Sequence, residues 1–398
     1  MLYTKGEIEC SPLDVEYDEK RLDVLNSHFQ KLVDDNEIYC ATYCLARYGK
    51  VFAHGAVGYK TYHKDPAVLV SPTDIHYIAS MTKTFAAVAI MKLFEDGLLS
   101  LATKVGDILP QFNGPPFNGI TIFHLLTHTS GMHPDRGCFP NDHNNGGYWH
   151  FVNMAYEAWK SKESSGFKEP FDWISAALST GVRLEPDQQW MYSSFGFCIL
   201  GEIIEKVTGI HSHQYLEDNI LKPLGLTDTA FDLTPAMAKR YIIHGAEAEK
   251  DVADVLAGKA YQKDAPWDKI PSLGGGLVST VWDAVRFGNM VLNNGTFDGV
   301  RILGRRAVEK MTDVAIKKPN YCWGSNEIRS YGIGFDHRNG NEFSFSAETV
   351  MHEGAGACAL YIDPVEGLVA SWIVPFVKPD WNAKAMYNTV NIIWSGLI

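Results

Sequence analysis

Strand-like segments lie at both ends of this 398-residue chain, with a mostly helical stretch between them, so its sheet has to be assembled from two distant parts of the sequence. Near the N-terminus, Leu22, Leu25, Phe29 and Leu32 recur at helical spacing within residues 18–36. Tyr39 to Arg47 and Val51 to Tyr59 read as strands joined into a hairpin at Tyr48-Gly49-Lys50. The C-terminal part offers strands at Tyr331 to Phe335, Glu342 to Phe345, Thr349 to His352, Cys358 to Ile362 and Leu368 to Val374, then a helix from Asn382 to Trp394. Thr280 before Val281-Trp282-Asp283 has the form of a helix cap. The expected architecture is α+β: residues 1–79 and 271–398 build a sheet subdomain, 80–270 a helical one, and the active site lies between them. Residues 132–170 mix His133, His143, Tyr148, Trp149, His150 and Trp159 with Asn and Gly, and are expected to form a long loop serving as a site wall or lid.

Composition narrows the function. Apolar residues make up 46% of the chain and aromatics 12%, which fits a globular protein with a large core. A net charge of −12 disfavours a nucleic-acid surface, which needs clustered Lys and Arg. The seven cysteines are scattered, odd in number and without a C-x-x-C pair, so reduced thiols and a cytoplasmic location are expected. Met1 to Lys20 is acidic with no apolar signal core, and no run approaches the roughly 18 apolar residues of a membrane span.

Ser80-Met81-Thr82-Lys83 places a hydroxyl and an amine at i and i+3, which share one face of a helix. A serine alcohol becomes nucleophilic only when a neighbour takes its proton, and a desolvated lysine can do this. The apolar run Phe85 to Met91 supplies a buried helix for that purpose. Ser165-Gly166-Phe167-Lys168 repeats the pattern in a polar, Gly-broken stretch and reads as surface loop. Tyr192-Ser193-Ser194 then precedes an apolar helix and offers a phenol and a hydroxyl for proton relay. In Met351-His352-Glu353-Gly354-Ala355-Gly356, a strand edge thinned by glycine lets backbone N–H groups approach a substrate oxygen.

Serine-lysine, tyrosine-x-serine and a basic residue-x-glycine strand, in this order, resemble the penicillin-recognising serine hydrolases, in their class C β-lactamase, esterase and transesterase branch. Leu125-Leu126-Thr127-His128-Thr129-Ser130-Gly131, Pro223-Leu224-Gly225-Leu226, Gly275-Gly276-Leu277-Val278-Ser279-Thr280 and Ile362-Asp363-Pro364 extend the likeness over roughly residues 20 to 395. The resemblance implies a β-lactamase/transpeptidase-like fold. It implies that Ser80 is the nucleophile, Lys83 the base or proton holder, and Tyr192 the shuttle to the leaving group. The N–H groups of Ser80 and Ala355 would form an oxyanion hole, with Ser194, His352 and Gly354 contacting substrate. His352-Glu353-Gly354 stands where β-lactamases of the family carry Lys-Thr-Gly, and Ser194 where they carry Asn. A histidine is a weaker carboxylate anchor, so ester chemistry fits better than antibiotic hydrolysis.

The expected activity is therefore a carboxylic-ester hydrolase or acyltransferase working through an acyl-Ser80 ester on a small metabolite, with secondary metabolism as a setting drawn from family habit. Partners are a small-molecule acyl donor, with a thioester or acyl-carrier donor as an alternative, and water or an alcohol as acceptor. The competing readings are a catalytically silent binding protein on the same fold and a true β-lactamase or D-Ala-D-Ala peptidase. Trp149 and Tyr148, with Phe151, are candidates for an acyl pocket. His124 and His128 have a zinc-like spacing but no third ligand, Gly274 to Gly276 read as a plain turn, and no metal or organic cofactor is expected.

Overall fold

The structure is a computed structural model that describes residues 1–135, 147–163, 170–259, 261, 267–322, 327–338, 343–375 and 386–398. Its centre is one antiparallel sheet of nine strands. In chain order these are β1 (Tyr3–Lys5), β2 (Cys40–Arg47), β3 (Lys50–Gly58), β4 (Ile316–Pro319), β5 (Ile328–Tyr331), β6 (Asp336–His337), β7 (Val350–Gly354), β8 (Cys358–Asp363) and β9 (Leu368–Ile373). They lie side by side as β1-β3-β2-β9-β8-β7-β6-β5-β4, so the two ends of the chain meet where β9 pairs with β2 from Leu368↔Arg47 to Ile373↔Thr42. The β2–β3 hairpin closes with Arg47 opposite Lys50, and both intervening residues, Tyr48 and Gly49, have positive φ (53° and 80°). Two consecutive left-handed residues match the right-handed twist of the flanking strands.

Both faces of the sheet are covered, and the period-2 alternation of its strands sorts side chains between them. Ala41, Tyr43, Leu45, Tyr361 and Trp372 face α1 (Lys20–Asp34) and the C-terminal helix Tyr387–Trp394. Cys44, Ala46, Leu360, Ile362 and Val369 face the larger core, built with α2 (Thr82–Glu95) and the helix Val281–Leu292. Thr280 caps that last helix by accepting a hydrogen bond from Asp283 N at 3.2 Å, as its sequence predicts. In α2 every residue from Thr82 to Met91 is buried. A fully buried Phe85 or Leu93 contributes about 1.5–3 kcal/mol each, so this helix is held by packing on nearly all sides.

Three expectations need correction. Residues 132–170 are not one loop, because Gly147–Glu163 forms a helix, α3, of 17 residues. Tyr148 and Val152, one turn apart, bury its inner side, while Tyr156 and Trp159 close on Phe171. The Asn- and Gly-rich lead-in hid that spacing. The strand expected at Tyr331 to Phe335 instead ends at Tyr331, and Gly332 N donates to Phe335 O (2.8 Å) in the turn into β6. No strand forms at Phe343 to Phe345. His143, Cys138 and the second serine-lysine motif at 165–168 lie outside the described residues.

Candidate active site

Ser80 sits in a single 3-10 turn, Ala79–Met81, that feeds directly into α2. Ala79 has φ +46°, a left-handed conformation that costs an L-residue roughly 1–2 kcal/mol. Surrounding bonds hold it there. Ile78 N donates to Leu277 O (3.0 Å), Thr82 Oγ1 donates to Ala79 O (2.7 Å), and Leu277 N donates to Thr82 Oγ1 (3.1 Å). The turn is thereby tied to the Gly274–Leu277 segment on one side and to α2 on the other.

Lys83 is completely buried, and its Nζ donates to Ser80 Oγ at 3.1 Å, to Ser194 Oγ at 2.9 Å and to the carbonyl of Gly274 at 2.5 Å. The hydroxyl and amine one helical turn apart in sequence are therefore in contact. Nζ also lies 4.7 Å from the centre of the Tyr192 ring. Tyr192 stands two residues ahead of the helix Ser194–Thr208, which Ser193 caps by accepting from Gly196 N. Behind Tyr192, His128 packs its ring at 4.6 Å and accepts from Ser193 N at 3.1 Å through Nδ1. His124 instead caps its own short helix by accepting from Thr121 N at 3.1 Å, so the two histidines have separate tasks. No group of three or more metal-binding side chains occurs among the described residues.

β7 runs alongside the Ser80 turn. It pairs with β8 over its whole length but meets β6 only at Asp336↔Met351, so its last residues turn an edge toward Ser80. The close approach requires Gly354, where a Cβ would lie 2.3 Å from Ile78 O. His352 is buried, donates from Nδ1 to Glu353 O (2.8 Å), and leaves Nε2 without a hydrogen-bond partner. Burial, reinforced by the Lys83 charge, holds its pKa down to about 3. His352 is a neutral imidazole at physiological pH.

Two cavities meet at Ser80 and Ala355. One, of about 520 Å³, is walled by Tyr77, Cys198, Trp267 and Ile270, with Asp135 and Ser194 also in its lining. The other, of about 530 Å³, holds Tyr192, His352, Arg329, Arg338, Asp336 and Glu353. There Arg329 pairs with Asp336, while Arg338 pairs with Glu353 at 2.7 Å, and Tyr361 Oη also donates to Glu353 at 2.7 Å. Tyr148 lines neither cavity among the described residues. It is buried against Phe195 (ring centres 4.2 Å apart), and its hydroxyl accepts from His133 N. This corrects its expected place in an acyl pocket. Trp149 lies in α3, with its side chain outside the described residues.

Sequence reasoning missed four contributors. Gly274 was read as turn material, yet its carbonyl receives Lys83, and a Cβ there would meet Ser194 O at 2.6 Å. The three consecutive glycines were the available signal. Asp135 accepts from Ser194 N (2.7 Å) and Ser194 Oγ (2.5 Å), and its own N–H donates to Tyr192 O (2.9 Å). No spacing rule pointed to it. Arg329 and Arg338 come from β5 and the residue after β6, and only sheet pairing brings them near β7.

The buried histidines make stability pH-dependent. His76 is also held down to about 3 by burial and by the neighbouring His244. Between pH 6.5 and 3 the unfolded chain binds protons that His76 and His352 refuse, so stability falls as pH falls through that window. Each costs about 2 kcal/mol at pH 5 relative to pH 7. Asp283 acts oppositely: burial raises it to about 6, and its protonation returns about 1 kcal/mol over the same interval. The melting temperature is expected to drop from pH 7 to pH 5, and to drop less in His352→Gln. Equal drops in the two proteins would refute a neutral buried His352.

The Beta-lactamase family model matches residues 25–388, and the chain belongs to that family. The lovastatin esterase of Penicillium rubens is 26% identical over 227 residues, 52% of this chain and 52% of that protein. Penicillin-binding protein 4 of Amycolatopsis lactamdurans is 29% identical over 260 residues, 63% of this chain and 59% of that one. The chain spans about half the length of the curated relatives it matches. Among solved structures, EstCE1, a hydrolase with promiscuous acyltransferase activity, superposes with a TM-score of 0.72 at 18% identity, covering 95% of this chain and 99% of that one. That likeness is one of fold, the β-lactamase/transpeptidase-like fold. Among the described residues, no helix is long and apolar enough to cross a membrane.

Proposed function

We propose that this β-lactamase-family enzyme is an ester hydrolase or acyltransferase that carries its acyl group on Ser80 Oγ. The observation that carries the reading is the buried Lys83 amine held 3.1 Å from that hydroxyl, at the junction of two cavities. Ser80 Oγ attacks the acyl carbonyl, and its proton passes to Lys83 as the new C–O bond forms. The tetrahedral oxygen is received by the N–H groups of Ser80 and Ala355. As the bond to the leaving group breaks, that group takes a proton relayed through Lys83 and Tyr192. Water or an alcohol then enters by the reverse path and releases the acyl group. Because Tyr192 belongs to the charged cavity, leaving group and acceptor belong there, and the largely apolar cavity takes the acyl chain.

His352 weighs against a carboxylate on the substrate. It is neutral, its Nδ1 proton goes to Glu353 O and its Nε2 is buried, so it cannot anchor an anion. The arginines of the same cavity are engaged with Asp336 and Glu353. These points weigh against β-lactams and D-Ala-D-Ala peptides as main substrates. Incubation with short-chain p-nitrophenyl esters and thioesters, quenched early, is expected to give one acyl adduct on Ser80 by intact-mass and peptide analysis. Added small alcohols are expected to speed donor consumption and yield new esters. A folded protein that never acquires the adduct would instead be the silent binding protein.

A further inference from the structure

We infer that Asp135 is a positioning residue that works through Ser194 to turn the lone pair of a neutral Lys83 onto Ser80. The inference rests on the acyl-enzyme reading above and follows from the hydrogen bonds around one nitrogen. Gly274 O can only accept, so it draws one N–H from Lys83. Ser194 could do either, but its own proton goes to Asp135 Oδ2 at 2.5 Å. Its oxygen is thereby left to accept, and it draws a second N–H at 2.9 Å. The third N–H of the ammonium points to Ser80 Oγ at 3.1 Å, so once Lys83 gives up that proton the uncharged amine presents its lone pair in this direction. The Ser80 proton can pass along it as Oγ bonds to the acyl carbon.

Asp135 is well built for fixing this polarity. Its other oxygen accepts from Ser194 N at 2.7 Å, and its own N–H is anchored on Tyr192 O. One residue thus grips both ends of the Tyr192–Ser194 segment. Asp135→Asn is nearly isosteric but reverses one bond. The amide oxygen keeps Ser194 N, while the amide N–H donates to Ser194 Oγ and releases the hydroxyl proton toward Lys83. Ser194 then competes with Ser80 for the lone pair.

The test is a double-mutant cycle on ester turnover with a p-nitrophenyl ester, using Asp135→Asn, Ser194→Ala and the pair, with Asp135→Ala as a second variant. Asp135→Asn and Asp135→Ala are expected to lower kcat at least tenfold with KM changed less than threefold. In the Ser194→Ala background no hydroxyl is left to misdirect, so adding Asp135→Asn is expected to cost less than threefold. The acid limb of kcat/KM is expected to move to lower pH in Asp135→Asn, because losing a neighbouring carboxylate eases deprotonation of the ammonium. Losses that multiply across the cycle, an unmoved acid limb, or Asp135→Asn within twofold of wild-type kcat would each overturn the inference. Wild-type labelling at Ser80 is scored in the same samples. An unlabelled wild type defeats the acyl-enzyme reading and this inference together, whereas a labelled wild type with multiplying losses defeats this inference alone.

Discussion

Ser80→Ala is expected to lose ester turnover by a factor on the order of 10⁴ or more and to leave no acyl adduct, while melting within a few degrees of wild type. The chemical loss is large because, among the described residues, the other hydroxyl on Lys83 does not stand in the same relation to it. Ser194 Oγ also touches Lys83, but its proton is committed to the Asp135 carboxylate. The stability change is small because Ser80 is only partly buried and its removal leaves Lys83 bonded to Ser194 and Gly274. Lys83→Ala should behave differently. It empties a fully buried volume and strips partners from Gly274 O and Ser194 Oγ, so both activity and stability fall, the latter by about 2–4 kcal/mol. A Ser80→Ala protein retaining more than about 1% of wild-type turnover would remove this serine from the chemistry.

The contrast between what was readable in the sequence and what was not follows the range of the interactions. The Ser80–Lys83 contact is local, and the i,i+3 rule places the two side chains together before any tertiary fact is known. The β2–β3 hairpin is equally local, fixed by Tyr48-Gly49. Strand-like segments at both chain ends already required one sheet built from the two, and the resemblance added the β-lactamase/transpeptidase-like fold. Where local pattern misled, polar punctuation was the reason. Asn- and Gly-rich neighbours hid α3, and the aromatic look of Tyr331 to Phe335 hid a turn. Asp135, Arg329 and Arg338 had no local signature at all. Asp135 reaches Ser194 because its backbone hydrogen-bonds to Tyr192, and the arginines reach β7 through the β5–β6–β7 pairing. Residues of this kind become visible only when the register of distant segments is known. They also decide how a generic serine-lysine pair is oriented and what its cavities accept.

Gly354→Ala is expected to reduce kcat by about 10²–10³-fold although it adds a single methyl group and removes no titrating atom. The backbone at Gly354 is not in the left-handed region, so the demand for glycine comes from space alone. The added Cβ would sit 2.3 Å from Ile78 O and 3.2 Å from Ala79 Cβ, atoms of the turn that presents Ser80. Neither side can yield cheaply. The turn is tied to Leu277 through Ile78 N and Thr82 Oγ1, and the strand is fixed by the Gly354↔Cys358 pair. Relieving the overlap requires the end of β7 and the Ser80 turn to separate by about 1 Å, with an overpacking cost of about 1–3 kcal/mol. That separation pulls the Ala355 N–H away from the Ser80 N–H, and losing one such donor costs about 10²–10³ in rate. Lys83 and Ser80 move with α2 as a unit, so acylation slows without a change in the pH profile. Gly114→Ala is the control, because a Cβ there meets nothing within 4 Å and its φ is ordinary. It should leave kcat and melting temperature unchanged. If Gly354→Ala turns over within threefold of wild type, β7 does not supply a donor to the reacting oxygen, and the stabilising contact has to be sought on the helical side of Ser80.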